Sequence, residues 1–213
     1  MNDVCPAILS DEKIENTLGD VLAKNGKSQL RIAETEKYNH VTYFFDAERN
    51  MNYVDEEKVL IPSPAVETFD KKPEMAAKEI TTALLKRLSK FDVVVLNFAN
   101  GDMVGHTGDE KATVKAMKCL DNQLKKIVPA VLKLNGAVLI AADHGNAEQM
   151  WDNKHNVPLT SHTTNPVRFI MVSNEKYVAR NGGLRDIAPT ILKLLNIKKP
   201  VEMTGKSLIK KIP

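Results

Sequence analysis

Residues 91–108, FDVVVLNFANGDMVGHTG, change character halfway along. The first half is a continuous apolar, β-branched run, the pattern of a strand covered on both faces. The second half breaks into Gly, Asn and Thr and carries two groups able to hold a metal, Asp102 and His106. A buried strand that ends in a polar loop bearing a carboxylate and an imidazole points to an α/β sheet with a site at its edge. Such sheets bind ligands in the crevice beyond the carboxyl ends of their strands.

The flanking sequence repeats this alternation. GAVLIAADHG (136–145) and PVRFIMVS (166–173) are further apolar strands, as are QLRIAET (29–35), HVTYFF (40–45) and VLIPSP (59–64), the last stopped by Pro62 and Pro64. Between them lie helical patterns over 73–88, 109–134 and 184–195, the last with Asp186 as a cap and Pro189 in its first turn. In 109–134 the apolar positions are Val114, Met117, Leu120, Leu124, Ile127, Val128 and Val131. An amphipathic helix is expected over Asp11–Asn25, ended by Gly26, and DAERNMNYVDEE (46–57) reads as a surface loop. Strands alternating with helices of this length imply a three-layer αβα fold, with helices on both faces of the sheet.

Composition narrows the function classes. The chain has 213 residues, 43% hydrophobic and 27% charged, enough for a sizeable core. Its 30 basic and 27 acidic residues are interspersed and leave a net charge of +3, so no nucleic-acid partner is expected. Cys5 and Cys119 are far apart and lack a CxxC spacing, which points away from a disulfide framework and toward a reducing, cytoplasmic setting. The start does not read as a signal peptide, and no apolar run approaches the roughly 20 residues of a membrane span.

Three of the five histidines fall in polar loops beside strands: His106 in GDMVGH, His144 in AADHGN and His162 in LTSHTTNP. The spacing of Asp102 and His106 puts both on one side if the loop takes a helical turn. Asp143 and His144 are adjacent, so an extended backbone would point them apart, toward two ions. Two carboxylates with three imidazoles suit Mn²⁺ or Zn²⁺ better than Ca²⁺ or Mg²⁺, which prefer oxygen shells. Two divalent ions would leave residual positive charge for a phosphoryl group. Asp and His are also ordinary turn residues, and a lone DHG carries little weight. His40 and His155 are given no ligand role.

Together NFANGDMVGHTG, LIAADHGNAEQM, TSHTTNPV, RIAETEKYNHVTYFF and VLIPSPAVETFDKKPEM resemble the carboxyl-terminal half of the cofactor-independent (2,3-bisphosphoglycerate-independent) phosphoglycerate mutases, of the alkaline phosphatase superfamily. The resemblance runs in order along nearly the whole chain. It implies an alkaline phosphatase-like sheet and interconversion of 3-phosphoglycerate and 2-phosphoglycerate on two Mn²⁺ ions, with Zn²⁺ or Mg²⁺ as alternatives. It implies that Asp102, His106 and His162 hold one ion and that Asp143 and His144 supply part of a second site. Lys37 matches a lysine near the phosphoryl group, where a fixed cation offsets developing negative charge.

The same resemblance implies that the family's first segment, with the nucleophilic serine, and its inserted domain are absent. Residues 1–213 are then a single phosphatase-type portion, with 1–28 as the lead-in from the inserted domain. Without the serine no covalent intermediate forms, so this polypeptide alone is expected to be inactive as a mutase. A separate chain carrying the serine segment, or self-association through an exposed strand edge, is the expected partner. The alternatives are a reduced metal-dependent phosphohydrolase acting on a small phosphate ester and a non-catalytic metal-binding or interaction domain. Two departures from the family pattern are Gly101, where proline is usual, and Asp46-Ala47-Glu48, where a glycine-containing turn is usual.

Overall fold

The computed structural model describes residues 13–212. In chain order its helices are α1 (Leu18–Lys24), α2 (Tyr38–Val41), α3 (Ala77–Leu85), α4 (Asn100–Gly105), α5 (Glu110–Lys133) and α6 (Ile187–Leu194). Its strands are β1 (Gln29–Glu34), β2 (Glu56–Ile61), β3 (Val93–Leu96), β4 (Ala137–Ile140), β5 (Trp151–Asp152), β6 (Val157–Pro158), β7 (Ile170–Ser173), β8 (Tyr177–Ala179) and β9 (Ile209–Lys211). No described helix is long and apolar enough to cross a membrane.

The main sheet is parallel, in the order β2-β1-β3, with Ile32 opposite Val59 on one side and Leu96 on the other. Alternation along the strands separates two cores. Val93 packs with Leu18, Val21 and Leu22 of α1 and Leu192 of α6. On the opposite face Leu30 and Ile32, with Val94 and Leu96, pack against Ile80 and Leu84 of α3 and Ile127 of α5. Helices therefore cover both faces of this sheet. A third cluster, Ala99 and Val104 against Ala112 and Ala116, seats α4 on the start of α5.

The sheet is interrupted beyond β3. β4 pairs antiparallel with β7 as a separate ladder, and among the described residues no ladder joins β3 to β4. α5 packs on the β1/β3 core through Ile127 and Val131, and its last turn lies against Gly136, just before β4. All four residues of β4 are only half-buried despite the sequence AVLI.

Several boundaries differ from expectation. Asp11 and Glu12 lie outside the described residues, and α1 begins only at Leu18, because Asn16 takes a positive φ of 54° and Thr17 caps the helix. That cap is reciprocal: the Asp20 amide donates to Thr17 Oγ1 (3.3 Å) and the Thr17 amide to Asp20 Oδ2 (3.0 Å). HVTYFF is not a strand. Tyr38–Val41 is a helical turn and the chain continues in turns, with Val41 buried and Phe45 against the Arg31 guanidinium at 4.3 Å. These side chains sit four apart, a helical spacing that residue type alone conceals. In α5 the buried face is Ala112, Thr113, Ala116, Cys119, Gln123 and Ile127, while Val114 and Met117 are exposed. Asp186 precedes α6 and Pro189 is in its first turn, but the Asp186 carboxylate accepts from the amides of Gly183 and Lys206 and does not cap its own helix.

Candidate metal centre

The site lies beyond the carboxyl ends of the strands. Lys37 follows β1, Asp102 and His106 follow β3, and Asp143 and His144 follow β4. α4 supplies the helical turn that the Asp102–His106 spacing requires, with the His106 amide donating to the Asp102 carbonyl (3.0 Å). His106 Nε2 lies 3.1 Å from Asp102 Oδ1. His162 arrives from an irregular loop, and its Nε2 donates to the same oxygen at 3.0 Å.

Asp102, His106 and His162 thus converge, each offering one ligand atom within 4.8 Å of the others. The two Nε2 atoms are 3.0 Å apart. His106 Nδ1 faces the carbonyl of Thr160 at 2.7 Å. A carbonyl only accepts, so Nδ1 carries a proton there and Nε2 is the ring atom turned toward Asp102 and His162. Two imidazole nitrogens and a carboxylate oxygen crowd one point. That donor set fits a divalent cation with further coordination positions open.

Asp102 is held on both oxygens. Lys37, itself buried, ion-pairs with Oδ2, and the Asn146 carboxamide donates to Oδ1 at 2.8 Å. Burial pushes the carboxyl up, but hydrogen bonds from Lys37 and Asn146 and the charges of Lys37 and His106 outweigh it, leaving the pKa at about 2. The group is therefore an anion at any physiological pH.

Asp143 and His144 do not diverge as an extended backbone would have placed them. His144 Nε2 is 3.6 Å from Asp143 Oδ2 and 4.0 Å from Asp102 Oδ1, and its ring stacks on His162 with centroids 3.6 Å apart. The Asp143 carboxylate is largely exposed. No third carboxylate, imidazole or thiol closes a cluster around this pair among the described residues. His40 packs edge-on against Phe44 within reach of the charges of Lys37, Asp143 and Asp102, and His155 Nδ1 donates to Asp152 at 2.6 Å in an exposed loop.

Sequence reasoning missed Asn146 and Thr160. Asn146 stands two residues after His144 in the motif AADHGN, and Thr160 two before His162 in LTSH. Asn146 is nearly buried, and a Cβ at Gly105 would fall within 3 Å of its carboxamide, so this contact depends on glycine at 105.

The Metalloenzyme superfamily profile matches residues 8–199. The chain is 53% identical over 207 residues to the 2,3-bisphosphoglycerate-independent phosphoglycerate mutase of Pseudomonas fluorescens, covering 96% of this chain and 41% of that protein. It is 55% identical over 202 residues to 2,3-bisphosphoglycerate-independent phosphoglycerate mutase 2 of Methanosarcina barkeri, covering 93% and 38% respectively. A crystal structure of Leishmania mexicana phosphoglycerate mutase at low cobalt concentration superposes with a TM-score of 0.81 at 34% identity, over 90% of this chain and 38% of that one. The chain spans about two-fifths of the length of the curated relatives it matches. The match runs through every element that carries Lys37, Asp102, His106, Asp143, His144 and His162, and the chain belongs to the Metalloenzyme superfamily.

Proposed function

We propose that this chain is the metal-binding portion of a phosphoglycerate mutase that interconverts 3-phosphoglycerate and 2-phosphoglycerate in cytoplasmic glycolysis and gluconeogenesis. The observation that carries the reading is the convergence of Asp102, His106 and His162 on one point, with Lys37 paired to the same carboxylate. Mn²⁺ is the proposed ion, and when bound it supplies Lewis-acid stabilisation to a phosphoryl oxygen. Asp102, His106 and His162 would hold it. Asp143 and His144 are proposed as two of the donors to a second ion. Lys37 keeps a positive charge beside the phosphoryl group, where it opposes the negative charge that builds up in transfer. The Thr160 carbonyl keeps His106 in the tautomer that leaves Nε2 free.

Residues 1–213 alone are proposed to be incompetent for the mutase reaction. Ser63 donates its hydroxyl hydrogen bond to Glu34 (3.1 Å) at the end of β1 and β2, and neither residue belongs to the cluster of Asp102, His106 and His162. The incomplete ligand set around Asp143 and His144 and the unjoined β3 and β4 fit the same view. A polypeptide carrying the serine segment is the proposed partner, and phosphoglycerate the proposed small-molecule substrate.

The test is to measure Mn²⁺ content and then mutase turnover, with and without a separately expressed serine-bearing segment from a full-length relative. Metal uptake with turnover only on mixing is expected. Turnover by the 213-residue chain alone would refute its incompetence. Failure to take up Mn²⁺ in excess would remove the metal-site reading, and phosphate-ester hydrolysis abolished by His162→Ala would replace mutase with phosphohydrolase.

A further inference from the structure

His162 sits on a loop without regular structure, where residues 161, 162, 164, 165 and 166 are all exposed. Its imidazole must nevertheless meet Asp102 to within hydrogen-bond distance. Outside the ligand cluster itself, a single carboxylate ties this loop to the one after β4. Glu148 Oε2 accepts from the Asn146 amide at 2.6 Å, while Oε1 accepts from the Thr163 hydroxyl and from Asn165 Nδ2 at 3.0 Å. Asn146 is the residue whose carboxamide holds Asp102, and Thr163 directly follows His162.

We infer that Glu148 is a positioning residue for the metal centre, clasping the loop after β4 to the loop of residues 160–165 so that Asp102 and His162 face one point. The inference rests on the metal-site reading proposed above. Glu148 touches neither ligand. It acts through Asn146 on one side and Thr163 on the other.

Two further features fit a built clasp. The Thr163 amide donates to the Gly145 carbonyl at 2.9 Å, so main chain and side chain link the same two loops in parallel. A Cβ on Gly145 would collide with both Thr163 Oγ1 and Glu148 Oε1, so the approach is close enough to need glycine there. Burial pushes the Glu148 carboxyl up, but the hydrogen bonds from Thr163, Asn165 and Asn146 outweigh it and hold it below the usual glutamate range. It is therefore charged at neutral pH, and charge-assisted hydrogen bonds are the stronger kind. Removing a group hydrogen-bonded to a metal ligand typically weakens metal affinity about 10- to 100-fold, and Glu148, one contact further out, is expected at the lower end of that range.

The experiment uses the full chain with Co²⁺ as probe, reading affinity by calorimetry and ligand geometry by the visible absorption of the bound ion. Glu148→Ala is expected to weaken Co²⁺ binding about tenfold and to alter the spectrum, which a purely structural role would leave unchanged. Glu148→Gln keeps one acceptor and is expected to restore part of the loss. The double variant Glu148→Ala/Thr163→Val is expected to match Glu148→Ala, because both act through one carboxylate. Wild-type affinity and spectrum in Glu148→Ala, or additive losses in the double variant, would overturn the clasp. If Glu148→Ala fails to fold, Thr163→Val alone decides, and unchanged affinity there counts against it. If the wild-type chain binds neither Co²⁺ nor Mn²⁺, the metal-site reading falls first and the clasp with it.

Discussion

Lys37 and Asp102, 65 residues apart in sequence, form an ion pair that ties the end of β1 to the helix after β3. Both are largely buried, with side-chain exposures of 10% and 14%. The pair leaves Asp102 Oδ1 for Asn146, His106 and His162 and takes Oδ2 for itself. One carboxylate is thus the shared partner of a lysine, an amide and two imidazoles. Its charge state governs the local fold as well as the site.

Acid should expose that dependence. The Asp102 carboxyl is lowered from 3.8 to about 2 in the folded chain. A lowered acid pKa stabilises the fold fully above the unfolded value, and the stabilisation is lost as pH falls through the folded value. The window is therefore pH 4 down to 2, and the full effect is about 2 kcal/mol. Urea melts of wild type and Asp102→Asn at pH 6, 4, 3 and 2 should show their stability difference narrowing by about that amount across this window. A difference that stays constant would mean that Asp102 titrates normally.

A site formed only in the folded chain should also couple metal binding to stability. At a free metal concentration 100 times its dissociation constant the gain is about 2.7 kcal/mol, or roughly 5–10 °C in Tm for a chain of this size. Thermal melts with Mn²⁺ should rise by that amount and fall back with a chelator. His106→Ala and His162→Ala should abolish the rise. His144→Ala should preserve most of it, since His144 Nε2 stands 4.0 Å from Asp102 and outside the three-residue cluster.

The path from FDVVVL to Asp102 and His106 was legible because an apolar run and an Asp-x3-His spacing are local signals, the first realised by β3 and the second by α4. The buried face of α5 was not. Ala112 and Ala116 meet Ala99 and Val104, where a close helix approach selects small residues that a count of large apolar ones passes over. Likewise HVTYFF has the residue types of a strand, but Val41 and Phe45 are inward at a spacing of four and Phe44 is half-exposed. The parts that escaped the sequence, Asn146 under Asp102 and Thr160 behind His106, depend on loops that meet only in the folded chain.

The turn at 46–48 carries strain that glycine should relieve. Ala47 and Glu48 both have φ of 58°, in the left-handed region that costs residues with a Cβ about 1–2 kcal/mol each. Glycine removes this cost but adds freedom to the unfolded chain worth about 0.4–1 kcal/mol. Ala47→Gly and Glu48→Gly should each stabilise the chain by about 0.5–1 kcal/mol, read as a higher urea midpoint with an unchanged slope. A lower midpoint would show that the turn takes another conformation.

Arg31 poses the opposite case, a fully buried cation that the fold depends on. Its Nη2 donates to Gln29 at 2.8 Å and lies 3.7 Å from Asp46, its Nε approaches Glu56 at 3.4 Å, and its guanidinium sits over the Phe45 ring. Burial lowers the guanidinium pKa while the Asp46 and Glu56 charges oppose that shift, and burial raises Asp46 while Arg31 opposes it. The Asp46 carboxylate oxygens make no hydrogen bond among the described residues, and Arg31 is the cation in ion-pair contact with them, with smaller contributions from Lys58 and Arg49. Arg31→Met keeps much of the volume but strands that charge, and breaking a buried pair in this way costs about 3–5 kcal/mol. Adding Asp46→Asn removes the stranded charge, so the double variant should be more stable than Arg31→Met alone. Urea melts of the two single variants and the double give the coupling directly. Additive losses would mean that Asp46 is neutral in the folded chain and that Arg31 is held by Gln29, Glu56 and Phe45 instead.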